Sequence, residues 1–347
     1  MLDFQELSLF VLIGIFAGAG AVVWAAGSRL SRYAAAVSQR TGIEQAAVGM
    51  VMLAGITSLP ELAVSLSAAQ FSGPDLAVNN LLGSIALQAA LLAMADMLIG
   101  RGALTAILAN PAVMLLGALN IILLTVVAAG ALVPSPTLLG VGYWCWGLVL
   151  LYPLGIVLVH QQAKAAAWKP VRASRSRKVG ADDDAQFGGV GTAMLVTRIV
   201  AAAVAILAAG LVLAQSGDAI AQKTGLGASF FGVVFLAIAT SLPEISTVST
   251  SARAGRYELA VSDILGTNLF NLLLVVAVDV SLPGQAALNT AGTFAAFGAL
   301  LGLLITAIFL AGLIERRDRA ILRMGYDSIA VLIVYVGGLT ILYHLRP

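Results

Sequence analysis

Two glutamates, Glu61 and Glu244, carry the most distinctive chemistry in this sequence. Each closes the same five-residue segment, Thr57-Ser58-Leu59-Pro60-Glu61 and Thr240-Ser241-Leu242-Pro243-Glu244, inside a long apolar stretch. An ionisable group deep in a bilayer costs about 2.5–3.5 kcal/mol on insertion scales, so two at matching positions point to a shared task rather than to packing. The prolines sharpen that reading. Pro60 cannot donate to the carbonyl of Ile56, nor Pro243 to that of Ala239. Carbonyls freed at membrane depth are tolerated where they line a cavity or bind ions.

Helical spacing enlarges the set. Thr57 and Glu61 are four apart and share a face, as do Thr240 and Glu244, Ser84 and Gln88, and Thr267 and Asn271. With Ser58 and Ser241, these residues offer hydroxyl, carboxylate and amide oxygens from four helices toward one place. Hard cations are bound by such oxygens, and Ca2+ takes about 6–8 of them in flexible geometry. No His/Cys cluster suggests zinc or copper. No nucleophile–base pair or cofactor motif appears either, so the chain reads as a cation handler, neither an enzyme nor a cofactor binder. Asp263, four residues before Thr267, reads either as a lining of the cytoplasmic approach or as a helix-start cap or partner of Arg256, with the structural role favoured. Asp96 and Asp279 read as interfacial, His160 and His344 as helix-end residues, and Cys145 as a small buried hydrophobe.

The elements that must position these residues follow from composition. Of 347 residues, 60% are hydrophobic and only 10% charged. Soluble domains carry about a quarter charged residues, which makes this an all-α integral membrane protein in the reading adopted. Spanning helices are expected near 7–27, 45–70, 76–98, 104–131, 137–159, 191–214, 229–253, 257–280, 291–313 and 327–344. The first is read as a retained helix, since no basic n-region precedes it and no small-residue cleavage site follows it. The Ala-rich runs and the Gly14/Gly18 spacing in the first helix suit close helix contact or generic packing alike.

Charge then orients the chain. One set of loops receives Arg29, Arg32, Arg40, Arg101, the run from Lys164 to Lys178, Arg198, Arg253, Arg256, Arg316, Arg317, Arg319 and Arg323, while the other receives only Lys223 and Arg346. The positive-inside rule makes the first set cytoplasmic and puts both termini outside the cell (inner) membrane. The polar stretch 160–189 reads as a cytoplasmic linker between a first five-helix half, 1–159, and a second, 190–347. Within them, residues 44–88 align without a gap on 227–271, a constant offset of 183 (244 − 61). Helices 2 and 7 run in opposite directions, so the copies are inverted, a recurring plan of secondary transporters with a midplane site.

At these residues the chain resembles the calcium/cation antiporter superfamily, most closely its prokaryotic sodium/calcium exchangers. That family carries a G-T-S-x-P-E type segment in each inverted repeat and a G-S-N-x-x-N or G-S-N-x-x-D type segment on the following helix. The resemblance implies ten transmembrane helices and alternating access, with the first and sixth helices sliding across the core. It also implies Glu61 and Glu244 as central Ca2+ ligands, Gln88 and Asn271 as central amides, and hydroxyls of Thr57, Ser58, Ser84, Thr240, Ser241 and Thr267 at flanking sodium sites. This sequence departs from the pattern in three places. No Gly immediately precedes Thr57 or Thr240, Ile85 stands where Asn is usual, and Gln88 and Asn271 replace a shorter amide and a carboxylate. The expected activity is Ca2+/Na+ antiport, with Ca2+/H+ (or other cation/H+) exchange as the alternative. The expected partners are inorganic cations and the lipid bilayer, with no nucleic acid and no obligatory protein partner. A gated channel or a cation-binding scaffold are the rivals from other classes.

Overall fold

The computed structural model describes residues 4–71, 73–99, 103–108, 110–165, 191–225, 237–315, 320–321 and 324–345. Among them, eight helices are long and apolar enough to span a membrane, and a pair bent by 45° passes the same test together, as a broken span or a re-entrant loop. In chain order the helices are α1 (Leu9–Thr41), α2 (Gln45–Thr57), α3 (Leu59–Phe71), α4 (Pro74–Ile99), a one-turn α5 (Leu104–Ile107) and α6 (Pro111–Leu132). The hairpin β1 (Thr137–Leu138) and β2 (Val141–Gly142) leads into α7 (Tyr143–Ala165). The second series is α8 (Thr192–Lys223), α9 (Leu242–Arg253), α10 (Tyr257–Ser281) and α11 (Ala287–Glu315), then hairpin β3 (Ala320–Ile321) and β4 (Met324–Gly325) and finally α12 (Tyr326–Leu345). The predicted seventh span, 229–253, is described only from Ala237, so its first eight residues lie outside the described residues, as do Arg101, Arg346, residues 316–319, Arg323 and most of the 160–189 linker.

The offset that relates the two motif segments runs far beyond them. Leu9 begins α1 and Thr192 begins α8, while Gly42 (φ 69°) and Gly225 (φ 75°) sit in the left-handed conformation where each helix stops. The two hairpins lie at the same spacing, Thr137 and Ala320 opening them and Gly142 and Gly325 closing them. Several expected boundaries need correction; the span expected at 191–214, for one, runs on to Lys223 as a 32-residue helix. Helix α1 runs 33 residues, continuing past Arg29, Arg32 and Arg40, which end the apolar run but not the helix. At about 1.5 Å per residue it exceeds a hydrocarbon core of about 30 Å, which requires tilt or emergence from the bilayer. The segment 104–131 is not one helix. Leu108 and Asn110 are extended, Pro111 starts a new helix, and the Asn110 side chain accepts from the Ala112 N–H at 2.8 Å. The second half makes the matching break at Gly292 (φ 66°, ψ −163°), within α11. Finally, 137–142 form a hairpin rather than the start of a helix, turning through Leu139 and Gly140, both at positive φ.

Two aspartates join the halves. Asp96 on α4 accepts from the N–H of Leu104 at 2.6 Å and of Gly325 at 2.6 Å. Asp279, its repeat counterpart on α10, accepts from Ala287 at 2.6 Å and from Gly142 at 2.8 Å. Each carboxylate therefore caps the next helix of its own half and grips the hairpin of the other. Both residues sit near helix ends, as read from the sequence, and are fully buried within the protein. Four backbone donors that would otherwise be orphaned in the core are satisfied this way.

Helices α1 and α8 lie against each other and cross to the opposite half. Gly27 of α1 passes the backbone carbonyl of Pro243 and Ser246 of α9, while Gly210 of α8, at the equivalent repeat position, passes Pro60 of α3. A side chain at either glycine would collide with its neighbour, so these are the close-approach positions. Gly14 and Gly18, singled out by their spacing, meet nothing within 4 Å, so the GxxxG pattern is not a helix contact among the described residues.

Candidate functional site

The site starts from two matched breaks in the backbone. Ser58 (φ −80°, ψ 0°) interrupts the helix between α2 and α3, and Ser241 (φ −83°, ψ 7°) does the same immediately before α9. Pro60 and Pro243 cannot continue the hydrogen-bond ladder, so each chain restarts as a new helix with its glutamate in the first turn. The positive end of a helix dipole favours an anion there. A π-helical turn at Gly49–Leu53 also distorts α2 one turn before the site.

All ten residues singled out from the sequence are fully buried: Thr57, Ser58, Glu61, Ser84, Gln88, Thr240, Ser241, Glu244, Thr267 and Asn271. Seven of them carry side-chain atoms with no hydrogen-bond partner. These atoms are Oγ of Ser58, Ser84 and Ser241, both carboxylate oxygens of Glu61 and of Glu244, and both amide atoms of Gln88 and Asn271. Such groups are rare in native interiors and cost about 1–3 kcal/mol each when unpaired, so their concentration here calls for a reason. The three threonines behave differently. Thr240 donates to the carbonyl of Ala237 (3.2 Å), Thr267 to that of Asp263 (2.8 Å), and Thr57 approaches the carbonyl of Ala54 and Oγ1 of Thr267, both at 3.4 Å. A hydroxyl whose proton is engaged by a carbonyl still presents lone pairs. The Thr57–Thr267 contact brings the two halves of the molecule together at the site.

Glu61 and Glu244 act on each other electrostatically, and Glu244 also feels the charge of Asp263. Two carboxylates shut away from water repel each other and hold their charge only when cations compensate it. The donor set fits a hard cation, since it consists of oxygens from carboxylates, amides and hydroxyls.

Beyond the ten residues singled out from the sequence, the structure describes further buried polar groups. Asp263 lies inside α10 rather than capping its start; it is fully buried and accepts from the hydroxyl of Thr247. Thr247 leaves no signal in the repeat, because its counterpart, Val64, is apolar. Asn120 of α6 donates to the carbonyls of Leu116 and Leu265, both at 2.9 Å, bracing α10 just before Thr267. The third-position Asn268, fully buried, has both amide atoms unpartnered.

A bundle of apolar helices, broken twice at repeat-related Pro-Glu segments around buried oxygens, defines an ion-transporting membrane protein. The chain belongs to the sodium/calcium exchanger protein family, whose profile matches residues 11–162 and 194–344. The starts of the two matches, 11 and 194, are separated by the same offset seen in the helices. The chain is 29% identical over 256 residues to the inner membrane protein YrbG of Escherichia coli (strain K12), covering 73% of this chain and 75% of that one. It is 26% identical over 331 residues to the putative antiporter CaxA of Alkalimonas amylolytica, covering 92% and 96%. Among solved structures, the sodium-calcium exchanger NCX_Mj soaked with Na+ and Sr2+ superposes with a TM-score of 0.71 at 12% identity, covering 96% of this chain and 99% of that one. The same exchanger soaked with Na+ and Ca2+ gives 0.69 at 13%, covering 97% and 99%. At that identity the likeness is one of fold.

Proposed function

We propose that this protein is a secondary active antiporter that exchanges Ca2+ for Na+ at a midplane site centred on Glu61 and Glu244. The observation that carries the proposal is the cluster of fully buried, unpartnered side-chain oxygens at the two helix breaks. Glu61 and Glu244 are the central Ca2+ ligands, with Gln88 and Asn271 as neutral contributors. Thr57, Ser58, Ser84, Thr240, Ser241 and Thr267 line the flanking Na+ positions. The site needs cations on both the outward and the inward passage, because the carboxylate pair is costly to move uncompensated through a low-dielectric core. That requirement links efflux of one ion to entry of the other. In this reading the protein lies in the cell (inner) membrane with both termini outside and the 160–189 loop in the cytoplasm, following the arginine distribution. The two passages are opened by α1 and α8, which touch the broken helices of the opposite half at Gly27 and Gly210.

The test is Ca2+ flux into proteoliposomes with Na+, K+ and H+ gradients imposed separately. A Na+ gradient is expected to drive Ca2+ and a pH gradient is not. The reverse result transfers the site to Ca2+/H+ exchange, for which protons would neutralise the two carboxylates. Current without a counter-ion in a planar bilayer would make the protein a channel and sink the antiport reading.

A further inference from the structure

Three aspartates on the long helices are fully buried, and they are not alike. Asp96 and Asp279 have both carboxylate oxygens bound to backbone N–H groups. Asp263 has one oxygen on the Thr247 hydroxyl and the other without a hydrogen-bond partner. The two structural carboxylates of this fold are satisfied completely; this one is left with free valence in the core. Its setting is also asymmetric. The equivalent positions of the first repeat hold Asn80 in place of Asp263 and Val64 in place of Thr247, so only the second half carries the pair. Thr247 lies one turn beyond Glu244, its hydroxyl 3.1 Å from the Glu244 carbonyl, and Asp263 lies one turn before Thr267, which donates to the Asp263 carbonyl at 2.8 Å. Both residues are therefore displaced from Glu244 toward the end of the bundle where Arg253 and Arg256 stand. Among the described residues, no three His, Cys, Asp or Glu side chains lie close enough to hold one ion, so Asp263 does not complete a three-carboxylate site with Glu61 and Glu244.

We infer that Asp263 and Thr247 form a second cation station, one turn from the central pair on the Arg253 side, that receives Ca2+ on its way between Glu244 and that face. This rests on the antiport reading above and adds to it that the two approaches to the site are chemically unequal. The face reached through Asp263 has a carboxylate and a hydroxyl; the face reached through Asn80 has an amide and no matching hydroxyl. Hard divalent cations favour the first set.

The test uses the full-length chain in everted and right-side-out membrane vesicles, measuring initial Ca2+ flux against Ca2+ concentration from each face. Wild-type flux in both preparations checks the antiport reading first, and its absence refutes that reading without bearing on Asp263. Asp263→Asn keeps the shape and an acceptor for Thr247. It is expected to raise half-saturating Ca2+ at the cytoplasmic face about tenfold, the scale of one lost short-range charge interaction, with the other face within about twofold. The mirror variant Asn80→Asp is expected to lower half-saturating Ca2+ at the outer face. It decides the matter alone if Asp263→Asn fails to insert. Equal effects of Asp263→Asn at both faces, no effect at either, or an unchanged outer face in Asn80→Asp overturns the station.

Discussion

Replacing Glu244 by glutamine is expected to reduce Ca2+ exchange by more than about 100-fold while leaving the protein folded, and Glu61→Gln is expected to do the same. Glutamine matches glutamate in shape, so the packing around α3 and α9 survives. What disappears is a full negative charge among oxygens that have no other counter-charge role. Both glutamates are fully buried, and glutamine keeps one acceptor oxygen at the same place, so little internal hydrogen bonding is lost. A 100-fold loss corresponds to about 2.7 kcal/mol, modest for a charge contact to a cation inside a low-dielectric site. The double variant is expected to lose little more than either single one, because in the proposed site the two side chains would act on one ion. A second readout separates function from folding. Ca2+ is expected to raise the thermal unfolding midpoint of the wild type by ligand linkage and to leave that of Glu244→Gln unmoved. In ion-free buffer the variant is expected to be at least as stable as the wild type, since a repelling buried pair has been relieved. Flux within about threefold of wild type in either single variant would remove that glutamate from the centre of the site.

The second large effect is on stability and lies away from the ions. Asp279→Ala strands the N–H groups of Ala287 and Gly142 in a buried setting. At about 1–3 kcal/mol for each unsatisfied group, a loss of about 3–5 kcal/mol is expected. Asp96→Ala is expected to cost a similar amount through Leu104 and Gly325. Asparagine at either position should recover about half, because its carbonyl still accepts while its amide faces a donor. The measurement is the unfolding midpoint in detergent, and a shift under about 2 °C would show that these carboxylates are not holding the two halves together. Ca2+ affinity of the folded fraction should stay near the wild-type value in both variants, since each carboxylate spends both oxygens on backbone donors away from the glutamates.

These two predictions draw on different kinds of information. The glutamates stand out in the sequence because lipid burial makes any charge conspicuous and because the Thr-Ser-Leu-Pro-Glu segment recurs. Asp96 and Asp279 are visible as residues, yet their partners Gly325 and Gly142 lie 229 and 137 positions away. Nothing local connects an aspartate near a helix end to a glycine in a distant hairpin. The first hairpin resembles the start of a helix in sequence, because it is only a few residues long beside an apolar run, while the second falls in the loop between two expected spans. Asp263 shows the same limit. Its identity and its spacing from Thr267 are plain in the sequence, but its surroundings depend on where α9 passes, which brings Thr247 to it.

The sequence by itself determined that this is a mainly helical membrane protein built on an internal repeat, and it determined ten polar side chains of that repeat that stay buried, six at the matched breaks and four on the helices that follow. Those properties depend on apolar length, on proline's missing N–H and on residue identity, all of which are local. The tertiary structure alone decided which of the buried polar groups are satisfied and which are left open. The bonds of Asp96 and Asp279 close across the two halves, while the oxygens of Glu61, Glu244 and Asp263 do not find enough donors. Satisfaction of a buried group is a relation between distant segments, so it exists only once the helices have packed.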